Sequence, residues 1–215
     1  MSALTQQNES PFRQIQWQAD VVQLLDEHHL VAWSKHARLR LHFASSLGQF
    51  LERQGDTEVC VLYGRFIDSL EAFCYQLERA IPGPVLERRI DGLRGVTALL
   101  RSRQCLPGQR ASRFRYYVWH DADVLLRRDH RLFGQIVDTL AGVAAESEYA
   151  NDDLLLLHRA VFVGGPVLDV YASDSRGQFR SWCADDCGEP FWEVVTGVQA
   201  PPFVRYAIDQ LGRGL

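Results

Sequence analysis

The stretch that decides the fold is FRYYVWHDAD, residues 114–123. It opens with aromatic and β-branched residues, which are typical of a strand. It ends in His120, Asp121, Ala122 and Asp123, so two carboxylates follow the apolar run directly. We therefore expect a buried strand that carries acidic side chains at its carboxyl end.

Two more apolar runs flank this stretch and also predict strands. Glu58–Tyr63 is stopped by Gly64, and Leu154–Val163 is stopped by Gly164-Gly165-Pro166. Segments with helical spacing lie between the strands. They are Asp68–Ile81, where Asp68 and Glu71 fit a capping box, Leu93–Leu100 after a short strand at 85–90, and 132–143 after a loop at 104–112.

Strands that alternate with helices of this length predict right-handed crossovers and a mostly parallel sheet covered on both faces. The fold class is therefore α/β, a three-layer sandwich with a central sheet of four or five strands. Residues 1–56 are expected to form a helical appendage, with one helix near residue 20 and a second helix over 30–53. Residues 57–170 form the α/β core in this prediction. Residues 171–215, with a further strand at 191–195 and a helix at 202–211, complete a single domain, and Val167–Tyr171 is expected to be an edge strand.

Composition bounds the function only loosely. The chain has 215 residues, a formal net charge of -4 and a pI near 6.0, which excludes a globally basic, nucleic-acid-coating protein. Lys35 is the only lysine among 23 basic residues. The odd number of cysteines, five, and the polar N-terminus predict a cytoplasmic protein in a reducing compartment. No apolar run approaches the roughly 18 residues of a membrane span, so no membrane association is expected.

The acidic end of the central stretch is the first candidate site. In parallel sheets, ligands bind at the carboxyl ends of strands. Asp121 and Asp123 are therefore candidate ligands for Mg²⁺, which proteins hold through one or two carboxylates together with substrate phosphates. Alternatively, Asp121 or Asp123 caps the following turn and pairs with Arg127 or Arg128. A cavity beside both aspartates would favour a ligand site, and direct pairing of both with arginines would favour a scaffold.

The order of three segments resembles the core of P-loop NTPases. These segments are VCVLYG at 59–64, FRYYVWHDAD at 114–123 and LLLLHRAVFVGG at 154–165, which match a first strand, a Walker-B-like strand and a sensor strand. The resemblance implies that Gly64, Arg65 and Ser69 bind the cofactor. It departs from the family because a Walker A loop is glycine-rich and ends in Lys and Ser or Thr, whereas residues 63–69 are too short and no lysine follows residue 35. It therefore implies a degenerate nucleotide-binding-like scaffold without ATP hydrolysis.

A second resemblance is to barstar-like ribonuclease inhibitors, which are small parallel α/β proteins. The segments that carry it are Ile90-Asp91-Gly92-Leu93 and YVWHDADVL at 117–125. It implies that an acidic helix and a neighbouring loop block the target. Asp91 matches one acidic position, but Gly95 stands where a second acid is expected.

Arginines are concentrated between residues 88 and 115, where eight of them accompany a single acid, Asp91. Guanidinium groups suit phosphate recognition, and nearby tyrosines suit base stacking. Arg88, Arg89, Arg94 and Arg115 are therefore candidate partner-binding residues. The alternative is a solvated helix face whose charge is balanced by acids elsewhere in the fold.

No complete catalytic set appears in the sequence, so the leading hypothesis is a non-catalytic intracellular protein that binds an unknown protein partner and needs no cofactor. One alternative is a Mg²⁺-dependent phosphoryl or nucleotidyl transferase that uses Asp121 and Asp123. The other is a nucleic-acid binder that uses the arginine-rich segment at 88–115.

Overall fold

Five parallel strands form the centre of the computed structural model, which describes residues 10–81, 92–101, 112–149, 156–175 and 179–184. Within these residues the sheet order is β2-β3-β4-β1-β5, and every pairing is parallel. The prediction of a mostly parallel sheet is confirmed. The strands are β1 (His29–Trp33), β2 (Thr57–Tyr63), β3 (Phe114–His120), β4 (Leu157–Gly164) and β5 (Phe179–Cys183).

Helices cover both faces of this sheet, so the three-layer α/β sandwich is also confirmed. A 3₁₀ turn at Gly64–Phe66 follows β2. The helices are α1 (Ser10–Glu27), α2 (Ala37–Glu52), α3 (Leu70–Ala80), α4 (Gly92–Arg101), α5 (Ala122–Arg128), α6 (His130–Tyr149) and α7 (Val167–Asp174).

The strand β3 is buried on both faces of the sheet. Its side chains alternate between two apolar cores. Tyr116 and Val118 belong to the core formed with α1 and α2. Tyr117 and Trp119 belong to the core formed with α3 to α7. Burying both faces makes β3 a continuous apolar run, as the sequence indicates.

The N-terminal part of the prediction needs correction. Residues 30–33 were expected to begin a helix, but they lie in β1, between β4 and β5, where Leu30 pairs with Val161 and Arg180. The apolar run has only four residues, 30–33, and so short a run has no periodicity that separates a buried strand from a helix segment. The second helix begins only at Ala37. Residues 10–56, the described part of the predicted appendage, are therefore part of the sandwich, because they supply an internal strand and the helices α1 and α2 that pack on one face.

Two smaller predictions also need correction. Val167–Tyr171 was expected to be an edge strand but lies in α7, which begins after Pro166, a residue whose fixed φ suits a helix start. The cap of α3 is Ser69 rather than Asp68, because the Ser69 hydroxyl accepts the backbone N–H of Ala72 at 3.2 Å. The strands at 85–90 and 191–195, the helix at 202–211 and most of the loop at 104–112 lie outside the described residues.

No helix in the described ranges combines the length and apolar character needed to cross a bilayer.

Candidate functional site at the carboxyl edge of the sheet

The strand order defines one crevice at the carboxyl edge of the sheet. The neighbours β1 and β4 are followed by helices on opposite faces, because α2 belongs to one core and α7 to the other. This is a topological switch point, where open α/β sheets usually bind ligands. The two strand ends are joined there by a hydrogen bond from the Ser34 N–H to the Gly164 carbonyl (3.2 Å).

The connection from β1 to α2 at this crevice is only three residues long, Ser34-Lys35-His36. The Ser34 hydroxyl accepts the His36 N–H at 2.9 Å. Arg40 closes the turn from α2 by donating to the carbonyl oxygens of Ser34 (2.9 Å) and Lys35 (3.4 Å). A phosphate cradle needs a glycine-rich loop that presents several backbone N–H groups. This connection has no glycine, and its backbone groups are hydrogen-bonded by the Ser34 hydroxyl and by Arg40 of α2.

Asp121 forms the turn between β3 and α5. Its backbone is in the left-handed region (φ 51°, ψ 38°), which aspartate tolerates better than most residues. Its carbonyl oxygen accepts the Val124 N–H at 3.0 Å. Its carboxylate binds Arg65 Nε at 2.8 Å. Asp121 therefore connects the turn after β3 to the 3₁₀ turn after β2.

Asp123 lies in the first turn of α5, and only 2% of its side chain is exposed. One carboxylate oxygen, Oδ2, pairs with Arg127 one helical turn later. The other oxygen, Oδ1, is buried without a hydrogen-bond partner among the described residues. Oδ1 packs against Gly164, and a Cβ atom on residue 164 would lie only 2.6 Å from Oδ1. The absence of a side chain at Gly164 is what leaves room for this carboxylate.

Both aspartates are therefore paired directly with arginines, which is the arrangement expected of a scaffold. The strand ends at His120, so alternation along β3 does not extend to Asp121 and Asp123. Of the two residues predicted to pair with them, Arg127 contacts Asp123, whereas Arg128 donates to the carbonyl oxygens of Ile67 (3.1 Å) and Arg65 (3.2 Å). No group of three or more histidine, cysteine, aspartate or glutamate side chains in the described ranges has the arrangement of a metal site. Metal binding by Asp121 and Asp123 stays a prediction.

The predicted cofactor residues lie two strands away from the crevice. Gly64 and Arg65 are in the 3₁₀ turn after β2, an edge of the described sheet, and Ser69 caps α3. Arg65 is brought to Asp121, and Gly64 packs against the backbone of Asp121 and Ala122. The connection at the switch point is instead the one after β1. The sequence prediction missed it because it placed a helix there, although the only lysine, Lys35, lies in it.

His120 is the last residue of β3 and precedes the Asp121 that binds Arg65. Its ring stacks on Tyr63 with the centroids 5.0 Å apart. Burial lowers its pKa, with a further contribution from Arg65 that Asp121 opposes. Burial likewise lowers the pKa of Arg40, which Asp121 raises and Arg127 lowers. The charges of this edge therefore act on one another as a connected group.

The predicted partner-binding arginines are not brought together with this group. Arg88 and Arg89 lie outside the described residues, and Arg94 is exposed on α4. Arg115 is fully buried near the amino end of β3, where it binds Glu58 (2.7 Å) and the Leu100 carbonyl (2.8 Å). An arginine in this position stabilises the fold and does not reach a partner on the surface.

Comparisons with known proteins add a general likeness in fold. Neither a protein-family model nor a curated protein matches the sequence. A chain of Drosophila ORC bound to GC-rich DNA and Cdc6 is similar over 86% of this chain and 31% of its own length, with 14% identity and a TM-score of 0.46. A chain of Drosophila ORC bound to AT-rich DNA and Cdc6 is similar over 80% and 28%, with 13% identity and a TM-score of 0.45. The chain thus spans less than a third of the length of these structures.

Proposed function

We propose that this protein is a non-catalytic, intracellular binding protein built on a degenerate nucleotide-binding-like α/β scaffold. The observation that carries the proposal is the pairing at the sheet edge, where Arg65 binds Asp121 and Arg127 binds Asp123. Carboxylates that hold Mg²⁺ direct their oxygens at the ion and at substrate phosphates. Here the positive charge beside each carboxylate is supplied by the chain itself.

The connection after β1 supports the same proposal. Its three residues are held by Arg40, whose guanidinium faces the carbonyl oxygens of Ser34 and Lys35. A loop that cradles phosphates needs its N–H groups free, and it needs glycines to let the backbone approach the ligand. In this turn the N–H groups of Ser34 and His36 are already bonded to the Gly164 carbonyl and the Ser34 hydroxyl, and no residue is glycine.

The proposal of an intracellular protein is supported by free cysteine thiols. Cys60, Cys74 and Cys183 are free cysteines within the described residues. Burial raises the pKa of the Cys60 thiol to about 12, which makes it an unreactive core residue. Free thiols are typical of reducing compartments.

The test is nucleotide turnover by the purified protein, measured as phosphate released from ATP and GTP in the presence of Mg²⁺. We expect no turnover above the buffer rate. Turnover that is lost in Asp121→Asn but kept in Asp138→Asn, an exposed aspartate on α6, would contradict the proposal.

One observation favours a second candidate, the Mg²⁺-dependent transferase. Oδ1 of Asp123 is a buried carboxylate oxygen without a hydrogen-bond partner among the described residues, and such oxygens are the ligands that Mg²⁺ prefers. Under this alternative, calorimetry detects Mg²⁺ or Mn²⁺ binding that disappears in Asp123→Asn. If neither ion binds at millimolar concentration, the transferase is excluded and the binding protein stands.

A further inference from the structure

Exposed aromatic side chains are concentrated on the surface formed by β2, the 3₁₀ turn and α3. Of the five large apolar side chains that are exposed in the described ranges, three lie here: Tyr63 (37%), Phe66 (65%) and Tyr75 (57%). All three line one open groove of about 440 Å³, together with Val61, Gln76 and Arg79. Contiguous apolar surface of this kind marks interaction sites in soluble proteins.

Two arginines of this region, Arg79 and Arg128, form no ion pair within 4 Å with a carboxylate of the described residues. Arg79 donates to the Tyr75 hydroxyl and lies over its ring, 5.1 Å from the centroid. Arg128 donates only to backbone carbonyl oxygens of the turn below Phe66. Arg65 lies over the Phe66 ring at 5.5 Å, but its charge is paired with Asp121. We call Tyr63, Phe66, Tyr75, Arg79 and Arg128 the aromatic–arginine surface.

The backbone of β2 is closed where it borders this surface. The side-chain amide of Gln76 accepts the Tyr63 N–H (2.9 Å) and donates to the Tyr63 carbonyl (3.2 Å). It therefore occupies both backbone groups that an added strand would use at this point. The groups that remain for a ligand beside Tyr63 are therefore side chains, which bind by stacking and by charge.

We propose that the aromatic–arginine surface binds single-stranded nucleic acid. Unpaired bases stack on Phe66 and Tyr75, and backbone phosphates contact Arg79 and Arg128. Aromatic rings bind bases of any sequence because every base has a π-face, and nearby guanidinium groups attract the phosphates. A duplex hides its base faces and does not fit this chemistry. The inference names the partner class of the proposed binding protein, and it rests on residues other than those of the arginine-rich segment at 88–115.

The experiment is fluorescence anisotropy of the full chain with fluorescein-labelled dT12 and rU12 at low and physiological salt. We expect Phe66→Ala and Tyr75→Ala each to weaken binding by about 5- to 100-fold. Arg79→Gln and Arg128→Gln are expected to weaken binding to both oligonucleotides alike and to reduce its salt dependence. A dT12·dA12 duplex is expected to bind more weakly than dT12.

Matched controls lie elsewhere on the surface. Leu41 is 50% exposed on α2 and Arg53 is exposed after it, so Leu41→Ala and Arg53→Gln are expected to leave binding unchanged. Thermal unfolding of every variant checks that the fold is kept, which the exposure of Phe66 and Tyr75 favours.

Three results would overturn the proposal. The first is no binding of dT12 or rU12 at 100 µM protein and low salt. The second is binding that Phe66→Ala and Tyr75→Ala leave intact but Arg94→Gln abolishes, which would assign the contact to the arginine-rich segment. The third is self-association that Phe66→Ala disrupts while no oligonucleotide binds, which would make this surface a protein interface. Nucleotide turnover is measured separately, so a failure of the proposed function is distinguishable from a failure of this inference.

Discussion

Gly64 packs so closely against Asp121 that a methyl group on Gly64 would overlap the Asp121 carbonyl oxygen and lie 3.0 Å from the Cα of Ala122. The 3₁₀ turn after β2 thus touches the backbone of the turn after β3. Only glycine permits this approach, and it brings Arg65 within reach of the Asp121 carboxylate.

The first prediction follows from this contact. Gly64→Ala is expected to lower the free energy of unfolding by about 1–3 kcal/mol, because the added methyl group forces two backbone segments apart. Urea denaturation followed by circular dichroism measures the change. The control is Gly142→Ala on α6, where nothing lies within 4 Å of a built Cβ. There alanine is expected to be neutral or to stabilise by up to about 1 kcal/mol. Equal effects of both substitutions would show that the contact is unimportant.

The second prediction concerns the buried carboxylate of Asp123. Arg127→Gln is expected to destabilise the protein by about 1–3 kcal/mol, because it leaves a buried charge without its partner. Adding Asp123→Asn removes that charge, so the double variant is expected to be more stable than Arg127→Gln alone. A double-mutant cycle in urea measures the coupling, with Arg131→Gln as the exposed control. Purely additive effects would show that the pair makes no net contribution.

The third prediction concerns the ion pair between Arg115 and Glu58 near the amino ends of β2 and β3. The Arg115 side chain is completely buried, and the Glu58 side chain is 11% exposed. Glu58→Gln is expected to cost about 3–5 kcal/mol, because it leaves the guanidinium buried with mainly neutral acceptors.

The control for this pair replaces both members. Glu58→Leu combined with Arg115→Met exchanges the pair for apolar groups, and such exchanges are often close to neutral. If the double variant is as unstable as Glu58→Gln, the packing around Arg115 matters more than its charge.

Much of the fold could be predicted from local patterns. The run at 114–120 and the glycine-stopped run at 58–63 predict strands because burial on both faces makes parallel strands apolar throughout. The helices α3, α4 and α6 could be predicted from their spacing, whereas α5 was expected to be only a turn. The strand at 29–33 could not, because its four apolar residues, next to helical segments, have no distinguishing period. That one strand determines which loop lies at the switch point, so the sequence alone did not show that the predicted cofactor residues lie two strands away from it.

The candidate site could be predicted only in part, for a different reason. Adjacency in sequence places Asp121 and Asp123 after a buried strand, and helical spacing suggests the pairing of Asp123 with Arg127. The contact between Arg65 and Asp121 spans 56 positions and depends on β2 and β3 being neighbours. The same holds for Arg115, because its position in an arginine-rich segment suggests exposure, whereas the inward direction of β3 buries it.

The last prediction concerns two histidines buried at the amino end of the sheet. Burial, together with the charge of Arg159, lowers the pKa of His29 to about 4, and burial together with the charge of Arg115 lowers the pKa of His158 to about 3. The contacts fit neutral rings, because His29 Nδ1 accepts the Ala160 N–H at 3.0 Å and His158 Nδ1 lies 2.9 Å from the Tyr117 hydroxyl.

Both histidines are therefore neutral in the folded protein and gain a proton on unfolding below about pH 6.5. Above that pH they contribute no pH dependence. As the pH falls from 6.5 toward 4, the unfolded state binds more protons, so stability is expected to fall by up to about 1 kcal/mol per pH unit for each histidine. Urea denaturation across this range measures the slope.

His29→Asn keeps a group that accepts the Ala160 N–H but does not titrate, so it is expected to make the slope shallower. His130→Asn changes an exposed imidazole on α6 and serves as the control. If His29→Asn leaves the slope unchanged, His29 is not the group whose protonation opposes folding, and the acid sensitivity arises elsewhere in the chain.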